Sequence, residues 1–158
     1  MDKKRLPNDQ CKPILVSACL LGLATRYDGQ AKRSQAVIDY LQRENLVPIP
    51  VCPEQLAGMT TPRDKVFFQS GDGDSVLMEN GAVISTTGQR MNDVFCRGAK
   101  MALEIARLAD CRRALLKERS PSCGVHVIYR HNEQVQGVGV TTALLIKEGI
   151  DVLSEEDI

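Results

Sequence analysis

The sequence predicts an α/β protein, a single layered and Rossmann-like domain in which helices flank a mainly parallel sheet. Short apolar runs alternate with amphipathic segments along the chain, with no internal repeat. The 158 residues suit one domain, which buries about 70% of its unfolded surface and needs no disulfides to hold a core. The first strand, helix and strand follow one another closely enough to read as a parallel βαβ unit.

The polar residues 1–12 read as a flexible tail, and residues 13–158 as the domain. Residues 14–18 form a buried strand, and Arg26-Tyr-Asp-Gly29 is turn chemistry. Ser34 caps a helix to about Asn45 that sets Val37, Ile38 and Leu41 on one face. Leu46–Val51 is the next strand. The Gly-rich stretch 69–81 suggests hairpins, with strands at 76–78 and Ala82–Ser85. Asn92 opens the longest helix, with Val94, Ala99, Ala102, Ile105, Ala106 and Ala109 inward and Arg97, Lys100, Glu104 and Arg107 outward. Strands follow at Arg113–Leu116 and 125–129. A short helix over 141–148 ends at Gly149, before a last strand at 151–153.

Twenty basic and twenty acidic residues give a formal net charge of zero, so no global positive field holds a nucleic-acid polymer, and a small-molecule substrate is expected. The longest apolar stretch near the start, Ile14 to Leu23, is broken by Ser17 and Gly22. It is too short for a membrane span and lacks the pattern of a secretory signal. A cytoplasmic, reducing location is expected, where clustered cysteines bind metal or do chemistry. No sequence feature sets the oligomeric state.

Three of the six cysteines stand apart. Cys19, Cys52 and Cys123 each follow a short apolar run, 33 and 71 residues apart, so no local motif joins them. Open parallel sheets place their sites beyond the carboxyl ends of the strands, and there the three thiols would meet as a metal or cluster site one ligand short. Each also precedes turn residues, Leu-Leu-Gly, Pro-Glu or Gly. Cys11 in the tail, Cys96 on the long helix and Cys111 after it end no apolar strand, and a small buried hydrophobe is the ordinary reading of a lone cysteine.

The ordered motifs Ser17-Ala-Cys-Leu-Leu-Gly22, Arg26-Tyr-Asp-Gly29, Val51-Cys-Pro-Glu54, Thr61-Pro-Arg63, Lys117-Glu-Arg-Ser-Pro-Ser-Cys-Gly124, Gly139-Val-Thr-Thr-Ala-Leu-Leu145 and Ser154-Glu-Glu-Asp157 resemble the bacterial thiouracil desulfidase family. The resemblance runs from about Pro13 to the C-terminus. It implies a 4Fe-4S cluster held by three cysteines, which carry over to Cys19, Cys52 and Cys123, with one iron left open. It also implies a substrate, a small thiolated pyrimidine, whose sulfur binds that iron as a soft ligand. Polarised by a Lewis acid, the ring carbon is attacked by water without net electron transfer, giving the uracil form and hydrogen sulfide.

Such a reaction needs a base and a proton source. By spacing alone Glu54, two residues from Cys52, better suits stabilisation of a helix start; the resemblance reverses that preference and implies the base. Ser120 is the expected catalytic hydroxyl, and Ser122 a substrate contact, although serines beside Pro121 also serve ordinary turns. Asp28 and Arg63 are expected to bind the pyrimidine edge or an anionic group, against the plain reading of Asp28 as a turn former. Lys117 and Glu118 either pair or line the pocket, His126 reads as half-buried structure, and His131 as solvated loop. A persulfide sulfurtransferase and a non-catalytic metal-binding module are the alternative functions.

Overall fold

A computed structural model of the chain describes residues 10–158. The elements, in order, are β1 Lys12–Ser17, α1 Gln35–Arg43, β2 Leu46–Val51, α2 Pro53–Leu56, β3 Val66–Ser70, α3 Gly73–Leu77, β4 Ala82–Ser85, α4 Asn92–Leu108, β5 Arg113–Leu116, β6 Val127–Arg130, β7 Glu133–Gln136, α5 Val140–Lys147 and β8 Asp151–Ser154. Most of the expected tail, residues 1–9, lies outside the described residues, and β1 already begins at Lys12.

The expected parallel sheet is present, with strand order β2-β1-β5-β8 and every pairing parallel. Its central strands are buried on both faces, as parallel strands covered by helices are. Ile14 and Val16 of β1 point with Leu115 toward Val37 and Leu41 of α1. Leu15, Ala114 and Leu116 point the other way, toward Leu103 and Ala106 of α4 and Leu145 of α5. Each such fully buried aliphatic side chain contributes about 1.5–3 kcal/mol. Ser34 caps α1 as expected, its hydroxyl accepting from Val37 N at 3.3 Å.

A second sheet, unforeseen as a separate layer, has the order β4-β3-β6-β7 and is mostly antiparallel. Phe68, Val83 and Ile128 from it pack on Phe95 and Ala99 of α4 and Val140 of α5, so these two helices serve both sheets. The strand expected at 76–78 is instead the end of α3, because the Asp72 carboxylate accepts from Ser75 N at 3.2 Å and caps a helical turn. β7 was missed because its Glu-Gln-Val-Gln sequence lies at an exposed edge and carries no apolar alternation. The strand expected from 125 begins at Val127, because a buried side chain takes the amides of Val125 and His126. Among the described residues no helix is long and apolar enough to cross a membrane.

Candidate functional site

Three neighbouring strands deliver the three cysteines. Ser17 of β1 pairs with Val51 of β2, so Cys19 and Cys52 leave the same edge of the parallel sheet. β5 lies on the other side of β1 and runs into residues 117–126, the loop that carries Cys123. Neighbours on opposite sides of β1 open a crevice beyond the strand ends, where open α/β sheets form their sites. All three thiols line one cavity there, of about 300 Å³.

Local chemistry fixes each thiol. Cys19 sits in a single 3-10 turn, Ala18–Leu21, and its carbonyl accepts from Gly22 N at 3.2 Å and Lys32 N at 2.9 Å. Gly22 closes that turn at φ 102°, a conformation that favours glycine. Cys52 is the residue before α2, with Pro53 at the first helical position and Glu54 in the first turn. The Cys123 loop is folded on Ser120, whose hydroxyl oxygen accepts from Ser122 N at 3.2 Å and Cys123 N at 3.1 Å. From below, the amides of Val140 and Thr141 at the start of α5 donate to Pro121 O and Ser122 O, both at 2.9 Å.

Two glycines permit these approaches. A Cβ on Gly98 of α4 would stand 2.3 Å from Pro53 O, and one on Gly139 would stand 2.4 Å from Ser122 O. Helices α4 and α5 therefore press their backbones directly against the segments bearing Cys52 and Cys123.

Burial pushes the Cys19 thiol up to about 11, opposed by the nearby charge of Lys117 and reinforced by Cys52. Burial pushes Cys123 up as well, with the Ser17 hydroxyl working against it and Cys52 and Cys19 adding to it. Each ionised thiol disfavours the next, so the trio suits a cationic guest that deprotonates its ligands on binding. Among the described residues no three His, Cys, Asp or Glu side chains converge closely enough to hold one metal ion. The cavity lining holds three thiols and no histidine, and thiolates are the ligands that iron–sulfur clusters take.

Glu54 and Arg63 both line the cavity. The five N–H donors of Arg63 all find protein acceptors. Nε reaches Glu54 Oε2 at 2.6 Å; Nη1 reaches Thr61 Oγ1 at 3.0 Å and Thr60 O at 3.4 Å; Nη2 reaches Thr25 O at 2.9 Å and Cys52 Sγ at 3.9 Å. Ser122 Oγ donates to Glu54 Oε1 at 3.4 Å, and Ser120 lines the same cavity. Asp28 does not join them. Its carboxylate accepts from Gln30 N at 3.0 Å and faces Arg26 at 3.8 Å, within its own turn and outside the cavity lining.

Lys117 and Glu118 line the cavity without pairing through their charges. Lys117 Nζ meets Glu155 Oε1 at 2.6 Å. Glu118 is 1% exposed, and its Oε1 accepts from the amides of Val125, His126 and Val127 at 2.8, 2.9 and 3.0 Å. Burial alone would raise its carboxyl, but these amides and that of Arg119 hold it below the ordinary carboxylate range. His126, expected half-buried, is exposed and pairs with Asp157 at 2.9 Å. Tyr27 and Tyr129, with Lys65 5.1 Å above the Tyr129 ring, complete the outer wall. Tyr129 and Lys65 lie in and beside the second sheet, so no signal near the cysteines marked them.

A model of the 2-thiouracil desulfurase family matches residues 14–157. The uncharacterized protein YbbK of Bacillus subtilis (strain 168) is 34% identical over 148 residues, which cover 92% of this chain and 97% of that one. The solved structure of a [4Fe-4S]-dependent thiouracil desulfidase, TudS, is similar with a TM-score of 0.79 and 38% identity over 93% of each chain. The likeness therefore spans the parallel sheet, the second sheet and all three cysteine segments, and the chain belongs to the 2-thiouracil desulfurase family.

Proposed function

We propose that the protein removes sulfur from a thiolated uracil compound, the base, its nucleoside or its monophosphate, using a 4Fe-4S cluster held by Cys19, Cys52 and Cys123. The observation that carries this is the gathering of three thiols, two of them buried and that of Cys52 partly so, and the Glu54 carboxylate around one cavity. When bound, the cluster supplies an open iron, a soft Lewis acid for the substrate's sulfur that leaves the carbon bearing it electrophilic.

The chain's own residues supply the rest. Glu54 is the base that takes a proton from the attacking water. Its Oε2 is held by Arg63, which leaves Oε1 as the working oxygen, steadied by Ser122. Because every Arg63 donor is spent on protein atoms, its role is to orient Glu54 and Cys52 rather than to grip substrate. Ser120 accepts two amide protons at its oxygen, so its hydroxyl proton remains free for a substrate or intermediate in the cavity it lines. Water supplies the new carbonyl oxygen and both its protons leave with sulfur as hydrogen sulfide, so the reaction is redox-neutral.

Anaerobically reconstituted protein tests this against 2-thio and 4-thio bases, nucleosides and monophosphates. It is expected to be brown, to hold about four irons per chain and to release sulfide as the thiocarbonyl absorbance falls. Zinc in place of iron, or a full cluster with no sulfide from any of these compounds, overturns the reading.

A further inference from the structure

The motif Ser154-Glu-Glu-Asp157 takes no part in the chemistry above, yet its three acids meet three basic side chains of a single loop. Glu155 Oε1 accepts from Lys117 Nζ at 2.6 Å and its Oε2 from the amide of Glu118 at 2.7 Å, with the side chain 14% exposed. Glu156 receives both terminal nitrogens of Arg119. Asp157 meets His126 Nε2 at 2.9 Å and accepts from Ser154 N at 2.8 Å. Lys117, Arg119 and His126 stand at the two ends of the loop that carries Cys123.

This segment is rooted in the sheet. Ser154 is fully buried and pairs with Leu116 across β8 and β5, so the acids start where the cysteine loop also starts. Between Lys117 and His126 the loop has no strand partner, and α5 holds it from the opposite side through Pro121 and Ser122. Loops without ladder bonds open at low free energy unless other contacts tie them. Glu155 ties both the side chain and the backbone at the loop's root.

We propose that Glu155 is a positioning residue for the cluster pocket: leading Glu156 and Asp157, it clamps residues 117–126 and fixes where Cys123 stands relative to Cys19 and Cys52. The inference rests on the proposed three-cysteine ligation. Glu155 touches no reacting atom. Its neighbour Lys117 lines the same cavity as Cys19.

Hydrogen exchange on the cluster-free chain and cluster loss to a chelator from the reconstituted chain test this together. E155A is expected to raise exchange within 117–127 while β1 and α4 stay protected. Its cluster absorbance should bleach roughly tenfold faster, the scale of losing a charge-assisted bond. E155Q, which keeps one acceptor, should fall between, and E156Q, at a more exposed pair, should stay near wild type. Should E155A not fold, E155Q against E156Q carries the comparison. Unchanged loop exchange, a uniform rise along the whole chain, or faster loop exchange with wild-type cluster loss each overturn the proposal. If C123S retains full iron, the three-cysteine ligation has failed instead, a result separable from the clamp because the exchange arm needs no cluster.

Discussion

Arg63 donates from Nε to Glu54 Oε2 at 2.6 Å, and only 5% and 11% of the two side chains is exposed. A carboxylate so held is oriented before substrate arrives, which lowers the cost of reaching the productive geometry. The partner cation is in turn anchored on Thr25 O and Thr61 Oγ1, so Glu54 is fixed through segments far apart in sequence.

R63K keeps the charge but loses the planar fork. Turnover per iron is expected to fall about 100-fold with the cluster retained, the size of a small misplacement of a reacting group. Steady-state kinetics with iron analysis check this. A rise in KM at unchanged kcat would assign Arg63 to substrate binding instead.

C19A, C52A and C123A are each expected to lower iron content, whereas C11A, C96A and C111A leave it unchanged. The second set lies outside the cavity lining, with Cys11 exposed and Cys111 buried elsewhere. Iron and acid-labile sulfide analysis after parallel reconstitution separates the two groups.

G98A and G139A are expected to disturb the cluster pocket although neither residue is a ligand. Each new methyl would meet backbone at 2.3 or 2.4 Å, which a flexible side chain cannot relieve. Overpacking of this kind costs about 1–3 kcal/mol or more. Thermal melts of the cluster-free chain and reconstituted iron content should both fall.

E118Q replaces the carboxylate that gathers the amides of Val125, His126 and Val127. It is expected to cost on the order of 2 kcal/mol at neutral pH, since a neutral acceptor serves several amides poorly. The folded carboxyl is depressed below its ordinary 4.5, so its stabilisation is complete above that value and is lost as pH falls through the folded value. Urea unfolding of wild type and E118Q should therefore differ most above pH 5 and converge in acid.

His126 titrates above its ordinary 6.5 because it bonds to Asp157, and D157N should return it toward that value. The pair's contribution is whole below 6.5 and disappears as pH rises through the raised value. With 57% of the imidazole exposed, the effect on stability is a few tenths of a kcal/mol and salt-sensitive. Ring-proton NMR titration in low and high salt measures both.

The parallel layer was legible because its strands carry unbroken apolar runs and α1 and α4 carry apolar faces of helical period. The second layer was not. β7 has polar residues at a free edge, and α3 owes its helical turn to one capping carboxylate rather than to periodicity. Strand-end position likewise marked Cys19, Cys52 and Cys123 as a set, because an open parallel sheet has one rim where such residues meet. Within Arg26-Tyr-Asp-Gly29 side-chain polarity favours Asp28 as the substrate contact, while the structure turns Tyr27 to the cavity and Asp28 back on its own turn.

What the sequence alone determined is the strands and helices of the parallel layer and the rim on which three thiols emerge, since both follow from local hydrophobic pattern. Only the tertiary structure decided which partners surround them: Arg63 spent on Glu54, Glu118 on three amides, and Glu155 on the root of the Cys123 loop. Those choices join residues up to 38 positions apart or cross between layers, and no local pattern encodes which buried donor will find which acceptor.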